Sequence, residues 1–353
     1  LQYRWMSQMY KLHNTVKEYW GENMEANEIA EIVRESELED RYELAAVRDA
    51  DLEKNLVKIS EHYCKTRTSY VTKCEAAAKQ LLMTILTDNE LREIHSARYR
   101  TKTIDSLLTK YIKKKALLPE IPGSDYNIEK YRPLNKNNYY KIITDLIGIR
   151  ILIRYQQQWE VVHKWIWDNF FKVDKPYIKN WLDDYPSGEA EDFLVEKPKL
   201  YLRDDKDLPM YQKFGKDIFE SHVSKEGYSS IHYLVWYDGK YVEIQVRTIY
   251  DEAWGECTHD LVYKCKNKAR RAELERLSEC LAIQTQAAGM ISDMMFNKSR
   301  VTTKKTEKTD SPVKVDGDLE KTKFEKLQKR ITNINNSQKQ IKEFDGAVDN
   351  LFD

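Results

Sequence analysis

Glu243, Gln245 and Arg247 alternate with Val242, Ile244 and Val246 between Tyr241 and Thr248. A period of two is the signature of a strand with one buried face, and it sets a carboxylate, an amide and a guanidinium side by side on the other. Asp238-Gly239 just before is a two-residue hairpin signal, so His232–Tyr237 reads as the antiparallel partner. That hairpin brings Tyr228, His232, Glu243 and Arg247 within reach of one another. Most polar strand faces are only solvated faces, so a second segment has to decide. Ile147–Ile153 reads as a buried β-branched strand, with Asp145 leading into it and Arg150 in its middle. Asp145 either caps the preceding turn or, with Glu243 from the other strand, supplies two carboxylates around a Mg²⁺ ion.

Five segments then fall in one order. They are Arg100-Thr-Lys102 with Ser106 and Lys110 at spacings of four, Asp145-Leu-Ile-Gly-Ile-Arg150, Gly227-Tyr-Ser-Ser-Ile-His232, Val242-Glu-Ile-Gln-Val-Arg-Thr248, and Glu256, His259 and Tyr263 downstream. Together they resemble the synthetase domain of RelA/SpoT-type alarmone synthetases over roughly residues 98–270. The resemblance implies an α+β fold, a mixed β-sheet nucleotidyltransferase-like core flanked by helices. It also implies a Mg²⁺-dependent pyrophosphokinase that moves the β,γ-pyrophosphate of ATP to a ribose 3′-hydroxyl and releases AMP.

On that resemblance each residue takes an expected role. Arg100, Lys102, Ser106 and Lys110 hold the ATP phosphates from the start of one helix, whose free N–H groups would assist. Asp145 is the main metal ligand. Glu243 completes the metal site or accepts the proton of the attacking hydroxyl. Arg150 and Arg247 contact nucleotide or phosphate. Tyr228 stacks on the acceptor base, with Lys225, His232 and Gln245 around the acceptor. Glu256, His259 and Tyr263 share a helix face and brace the site without doing chemistry. Two departures stand out. Ser229 follows Gly-Tyr where the family often has a basic residue, and the family's hydrolase motifs have no counterpart, since the one His-Asp pair is His259-Asp260.

The expected acceptor is a guanosine nucleotide, GDP or GTP, giving a (p)ppGpp-type alarmone. Two alternatives remain. A toxic synthetase of a toxin–antitoxin or phage-defence system would modify the tRNA 3′ end or an adenosine nucleotide, with Lys110, Lys113, Lys114 and Lys115 gripping tRNA phosphates. An inactive nucleotide-sensing scaffold is the other, although it has little need for both Asp145 and Glu243.

Composition bounds the remainder. The 353 residues carry 58 basic and 58 acidic side chains, so no global field recruits nucleic acid or membrane. No leader and no run of about 18 apolar residues is present, which reads as a cytoplasmic protein. Five scattered cysteines without Cys-x-x-Cys spacing read as reduced thiols and not as a zinc site. Residues 1–97 read as a helical bundle, with Leu52, Leu56, Ile59 and Tyr63 as one stripe and Val71, Cys74, Ala78, Leu81, Leu82 and Ile85 in another. Within the 98–270 core, 172–220 reads as an insertion. A helix follows over 271–297, then a flexible linker at 298–317. Phe324, Leu327, Ile331, Ile334, Ile341 and Val348 give 318–353 a short heptad pattern, suited to self-association, docking on the core, or an antitoxin or other regulator.

Overall fold

The computed structural model describes residues 39–64, 69–116, 131–170, 193–215, 218–224, 227–263, 265 and 267–304. Lys225 and the 318–353 heptads lie outside them. Among the described residues helices α1 (Glu39–Arg48), α2 (Leu52–Cys64) and α3 (Tyr70–Thr87) come first. Ser69 caps α3 by accepting the Thr72 amide at 3.5 Å. The expected stripes face inward: Leu52, Leu56, Ile59, Tyr63, Cys74, Ala78, Leu81 and Ile85 are buried, and Val71 and Leu82 are partly buried against the two cores.

Strand β1 (Ser96–Thr101) and helix α4 (Ile104–Ala116) follow, then the single turn α5 (Tyr139–Ile142), strand β2 (Ile147–Ile153) and helix α6 (Trp159–Phe170). Strands β3 (Phe193–Leu194) and β4 (Lys199–Leu202) lead through the short α7 (Leu208–Tyr211) to β5 (Glu220–Val223). The hairpin β6 (Ser230–Tyr237) and β7 (Lys240–Thr248) runs into α8 (Ile249–Cys257), a π-helical turn over Thr258–Tyr263, and the long α9 (Lys268–Lys304). Asp238 and Gly239 have φ of 46° and 71°, both left-handed, as a two-residue turn between right-twisted strands requires.

One mixed sheet results, in the order β1-β2-β7-β6-β4-β5, with β3 also paired to β6. Pairs β2–β7 and β4–β5 are parallel and the rest antiparallel. Its apolar face, including Ile149, Ile151, Tyr233, Val235, Val242 and Ile244, packs against α3 and α6. A second core unites α1, α2, α4 and α5 through Leu56, Tyr63, Leu108, Tyr111 and Tyr139.

Two expectations change, and one stretch whose elements the sequence left unplaced gains them. Arg100 sits on strand β1 and not at the start of a helix; α4 begins at Ile104, and Arg100 pairs with Gly148. The stretch read as an insertion at 172–220 supplies β3, β4 and the first residue of β5, all within the sheet. The last helix continues to Lys304, through the first part of the expected linker. Among the described residues no helix is long and apolar enough to cross a membrane.

Candidate active site

Residues directly opposite one another on paired strands point to the same face of a sheet. The register therefore lays one row of side chains across six strands: Arg98 on β1, Arg150 on β2, Gln245 on β7, His232 on β6, Lys199 on β4 and Glu220 on β5. A neighbouring row joins Arg100, Gly148 and Glu243. A third joins Tyr201 to Ser230 and His222. The face opposite the apolar core is thus polar from one edge to the other. It forms a cavity of about 1260 Å³ lined by Arg100, Arg150, Tyr201, Tyr228, Gln245 and Arg247 among others.

At one end Asp145 gathers two lysines. Its Oδ2 accepts from Lys102 Nζ at 2.9 Å and from Lys110 Nζ at 2.8 Å. Burial opposes ionisation of Asp145, but the two ammonium groups overcome it and hold the carboxyl well below its usual range. Two cations on one carboxylate leave a net positive charge, which favours an anionic ligand. Tyr63 of α2 donates to the Lys102 carbonyl at 2.6 Å, tying the N-terminal helices to this cluster. Ser106 is held by Thr103 Oγ1 at 2.9 Å at the start of α4. Arg100 crosses directly over Gly148, where an added Cβ would lie 3.3 Å from the arginine Cγ and Nε.

The hairpin holds the second carboxylate. Glu243 Oε2 accepts from Gln245 Nε2 at 2.7 Å, and His232 Nδ1 lies 3.4 Å from Glu243 Oε1. Burial opposes its ionisation, yet His232 and Gln245 bring it down to about 2. His232 Nε2 and the Tyr228 hydroxyl are 2.8 Å apart, and Arg247 Nη2 donates to that hydroxyl at 3.2 Å. The sequence expectation that Tyr228, His232, Glu243 and Arg247 meet is fulfilled in these contacts. Thr248 and Asp251 cap α8 reciprocally, so the helix starts directly after Arg247 and fixes its backbone.

Helix α8 supplies two acidic counterparts, of which Glu252 is absent from the sequence reading. Glu252 takes Arg150 Nη1 at 2.6 Å, Arg247 Nη1 at 3.2 Å and also Arg98. Glu256 takes Arg150 at 2.5 Å and Arg98 at 2.9 Å. Arg98 had a signal, since it stands two residues before Arg100 on the same strand face. Glu252 had none, because an acidic residue in the first turn reads as helix capping. His259 lines the cavity from the π-helical turn and sits 3.5 Å from Asp260. Tyr263 ends that turn, which breaks the even i, i+3, i+7 spacing expected for the three residues.

The lysine run does not form one surface. Lys110 pairs with Asp145, while Lys114 is buried over the Tyr131 ring at 4.5 Å and pushed down to about 8 by that burial. Asp145 and Glu243 are absent from the cavity lining, although Gly148, opposite Glu243, is part of it. The geometry, with both carboxylates flanking the β2 start, places the two acids beside the cavity and not within its wall.

Mg²⁺ fits this arrangement. Asp145 Oδ1 is buried and has no hydrogen-bond partner, which marks an oxygen available to a hard cation. Among the described residues no cluster of three or more acidic, His or Cys side chains could hold a metal alone. Magnesium commonly takes one or two carboxylates and completes its shell with phosphates and water, so Asp145 could hold the ion together with a bound phosphate.

Residues 99–268 match the region found in RelA and SpoT proteins. The chain carries a RelA/SpoT-type synthetase domain. That match supports pyrophosphate transfer and alarmone synthesis as the general chemistry of the domain. No curated protein matches the chain significantly. Among solved structures, small alarmone synthetase 1 from Bacillus subtilis bound to its product pppGpp shares 19% identity, covering 66% of this chain and 96% of that one at a TM-score of 0.39. A GTP pyrophosphokinase family protein from Streptococcus pneumoniae shares 16% identity over 69% of this chain and 97% of its own, also at 0.39. Small alarmone synthetase 2 from B. subtilis shares 16% over 71% and 98%, at 0.33. The domain assignment rests on the family match.

Proposed function

We propose that this RelA/SpoT domain transfers the β,γ-pyrophosphate of ATP to the ribose 3′-hydroxyl of GDP or GTP and releases AMP. The observation that carries the reading is the pairing of two acids with distinct partners, Asp145 with Lys102 and Lys110, and Glu243 with His232 and Gln245. Lys102, Lys110 and Arg100 bind the triphosphate; their surplus of positive charge offsets the phosphate charge that in-line displacement redistributes. Asp145, with its unpartnered oxygen, would hold Mg²⁺, which when bound neutralises charge on the transferred group. Arg150 and Arg247, oriented by Glu252, bind the nucleotides. Glu243 is ionised at neutral pH and takes the proton of the attacking hydroxyl. His232 and Tyr228 hold the acceptor beside it.

The test is incubation of the full chain with Mg²⁺ and γ-³²P-ATP against GDP, GTP, ADP and bulk tRNA separately. Label in a guanosine nucleotide, lost on chelation of Mg²⁺, is the expected result. Label confined to tRNA would replace this acceptor with the toxic-synthetase alternative, and no transfer to any acceptor would leave a sensing scaffold.

A further inference from the structure

The polar face does not end at the hairpin. It continues onto β4 and β5, where the parallel register sets Lys199 beside Glu220 and Tyr201 beside His222. Tyr201 and His222 are stacked, with centroids 5.4 Å apart and planes 25° from parallel. Tyr201 also meets the Tyr228 ring edge-on at 5.5 Å and His232 at 4.8 Å. All four of Tyr201, His222, Glu220 and Lys199 line the cavity. Arg203, just past β4, donates to the Gly227 carbonyl at 2.7 Å and pairs with Asp251 at 2.5 Å, so this wall is fastened to both the Tyr228 turn and α8.

We infer that the β4–β5 wall is the base-reading end of the acceptor subsite, with Glu220 as its specificity-determining residue. The inference rests on the transfer reaction proposed above and adds where the acceptor's base is read. The stacked Tyr201–His222 pair offers a flat apolar flank to a purine. The Glu220 side chain is half exposed, at 50%, and contacts His222 Nε2 at 3.0 Å through Oε1, which leaves its other oxygen for a ligand. An ionised carboxylate only accepts hydrogen bonds. Guanine presents N1–H and N2–H₂ donors along its Watson–Crick edge and so matches it. Adenine presents an acceptor at N1 and is repelled there, which excludes the competitor by an unfavourable contact as well as by a missing one. The stretch that contributes β4 reads from sequence as an insertion, and in the fold it is the wall opposite the arginines.

The experiment compares GDP, IDP and ADP as ligands of the full chain by titration calorimetry and as acceptors in the transfer assay, for the wild type, Glu220→Gln and Tyr201→Leu. IDP lacks only the 2-amino group of guanine. The wild type is expected to prefer GDP over IDP by about tenfold, the scale of one hydrogen bond to a charged acceptor. Glu220→Gln should bring GDP and IDP to within about twofold and leave KM for ATP unchanged. Tyr201→Leu should weaken GDP and IDP alike. A wild type that binds GDP, IDP and ADP equally, or a Glu220→Gln protein that keeps the full GDP preference, overturns the subsite. If no acceptor is modified but calorimetric GDP binding still depends on Glu220, the transfer reaction fails while the subsite stands.

Discussion

Lys110 Nζ lies 2.8 Å from Asp145 Oδ2, and that same oxygen is held at 2.9 Å by Lys102. The carboxylate expected to bind the metal is thus also the anchor of the two lysines expected to bind phosphate. Losing one lysine leaves Asp145 paired, whereas losing the carboxylate leaves two mostly buried ammonium groups facing each other. Asp145→Asn should therefore cost stability on the order of 3 kcal/mol, and Lys110→Ala nearer 1 kcal/mol. Urea midpoints measure the difference. Equal losses would mean that the cluster does not act as a unit. In activity, Lys110→Ala should raise KM for ATP by about tenfold, and Asp145→Asn should remove turnover.

Glu243 is held ionised by His232 and Gln245. If it acts as proton acceptor, Glu243→Gln should lower kcat by roughly 10²–10⁴-fold. The Mg²⁺ concentration for half-maximal rate should stay where it was. A variant whose only defect is a higher Mg²⁺ requirement would reassign Glu243 to the metal.

Glu252 is 7% exposed and receives Arg98, Arg150 and Arg247, while Glu256 sits at the rim. Removing the buried charge should matter far more than removing the exposed one. Glu252→Gln is expected to raise KM for ATP by about tenfold or more and to lower stability by about 3 kcal/mol. Glu256→Gln should change stability by less than about 1 kcal/mol. Partial recovery of KM in Glu252→Asp would show that the charge, and not the packing, orients the arginines.

His163 on α6 tests the core behind the site. It is 2% exposed, its Nδ1 lies 2.9 Å from the Tyr233 hydroxyl, and Trp159, Trp167, Phe214 and Phe219 surround it. Burial pushes it down to about 4. The unfolded chain then binds a proton that the folded one refuses between roughly pH 6.5 and 4, so stability falls as pH drops through that window. The loss attributable to His163 is at most on the order of 3 kcal/mol, from a depression of about 2.5 pKa steps. Urea unfolding from pH 8 to 4 should show this slope in the wild type and a shallower one in His163→Asn. Parallel profiles would rule it out.

How far the sequence spoke depended on whether a signal was local. The β6–β7 hairpin was legible because Asp238-Gly239 and the Val242–Val246 alternation are short-range, and the structure pairs the strands as that pattern requires. Strand β1 is hidden, since Arg100 and Lys102 read with Ser106 and Lys110 as the entry to one helix. The alternation of Arg98, Tyr99 and Arg100 was there to be read. Strand β4 is only Lys199–Leu202, too short for periodicity to separate from a loop. The row from Arg98 to Glu220 was not legible at all. It exists only through strand order, and parallel pairing such as β2 with β7 joins segments far apart in the chain.

The most direct test of the central claim is the stoichiometry of products from ATP and GDP in the presence of Mg²⁺, resolved by anion-exchange chromatography. Transfer of the β,γ-pyrophosphate across this face predicts AMP and a 3′-pyrophosphorylated guanosine nucleotide in equal amounts, both formed at least about a hundredfold more slowly in Glu243→Gln. Release of ADP with inorganic phosphate, or AMP without a modified acceptor, would contradict it.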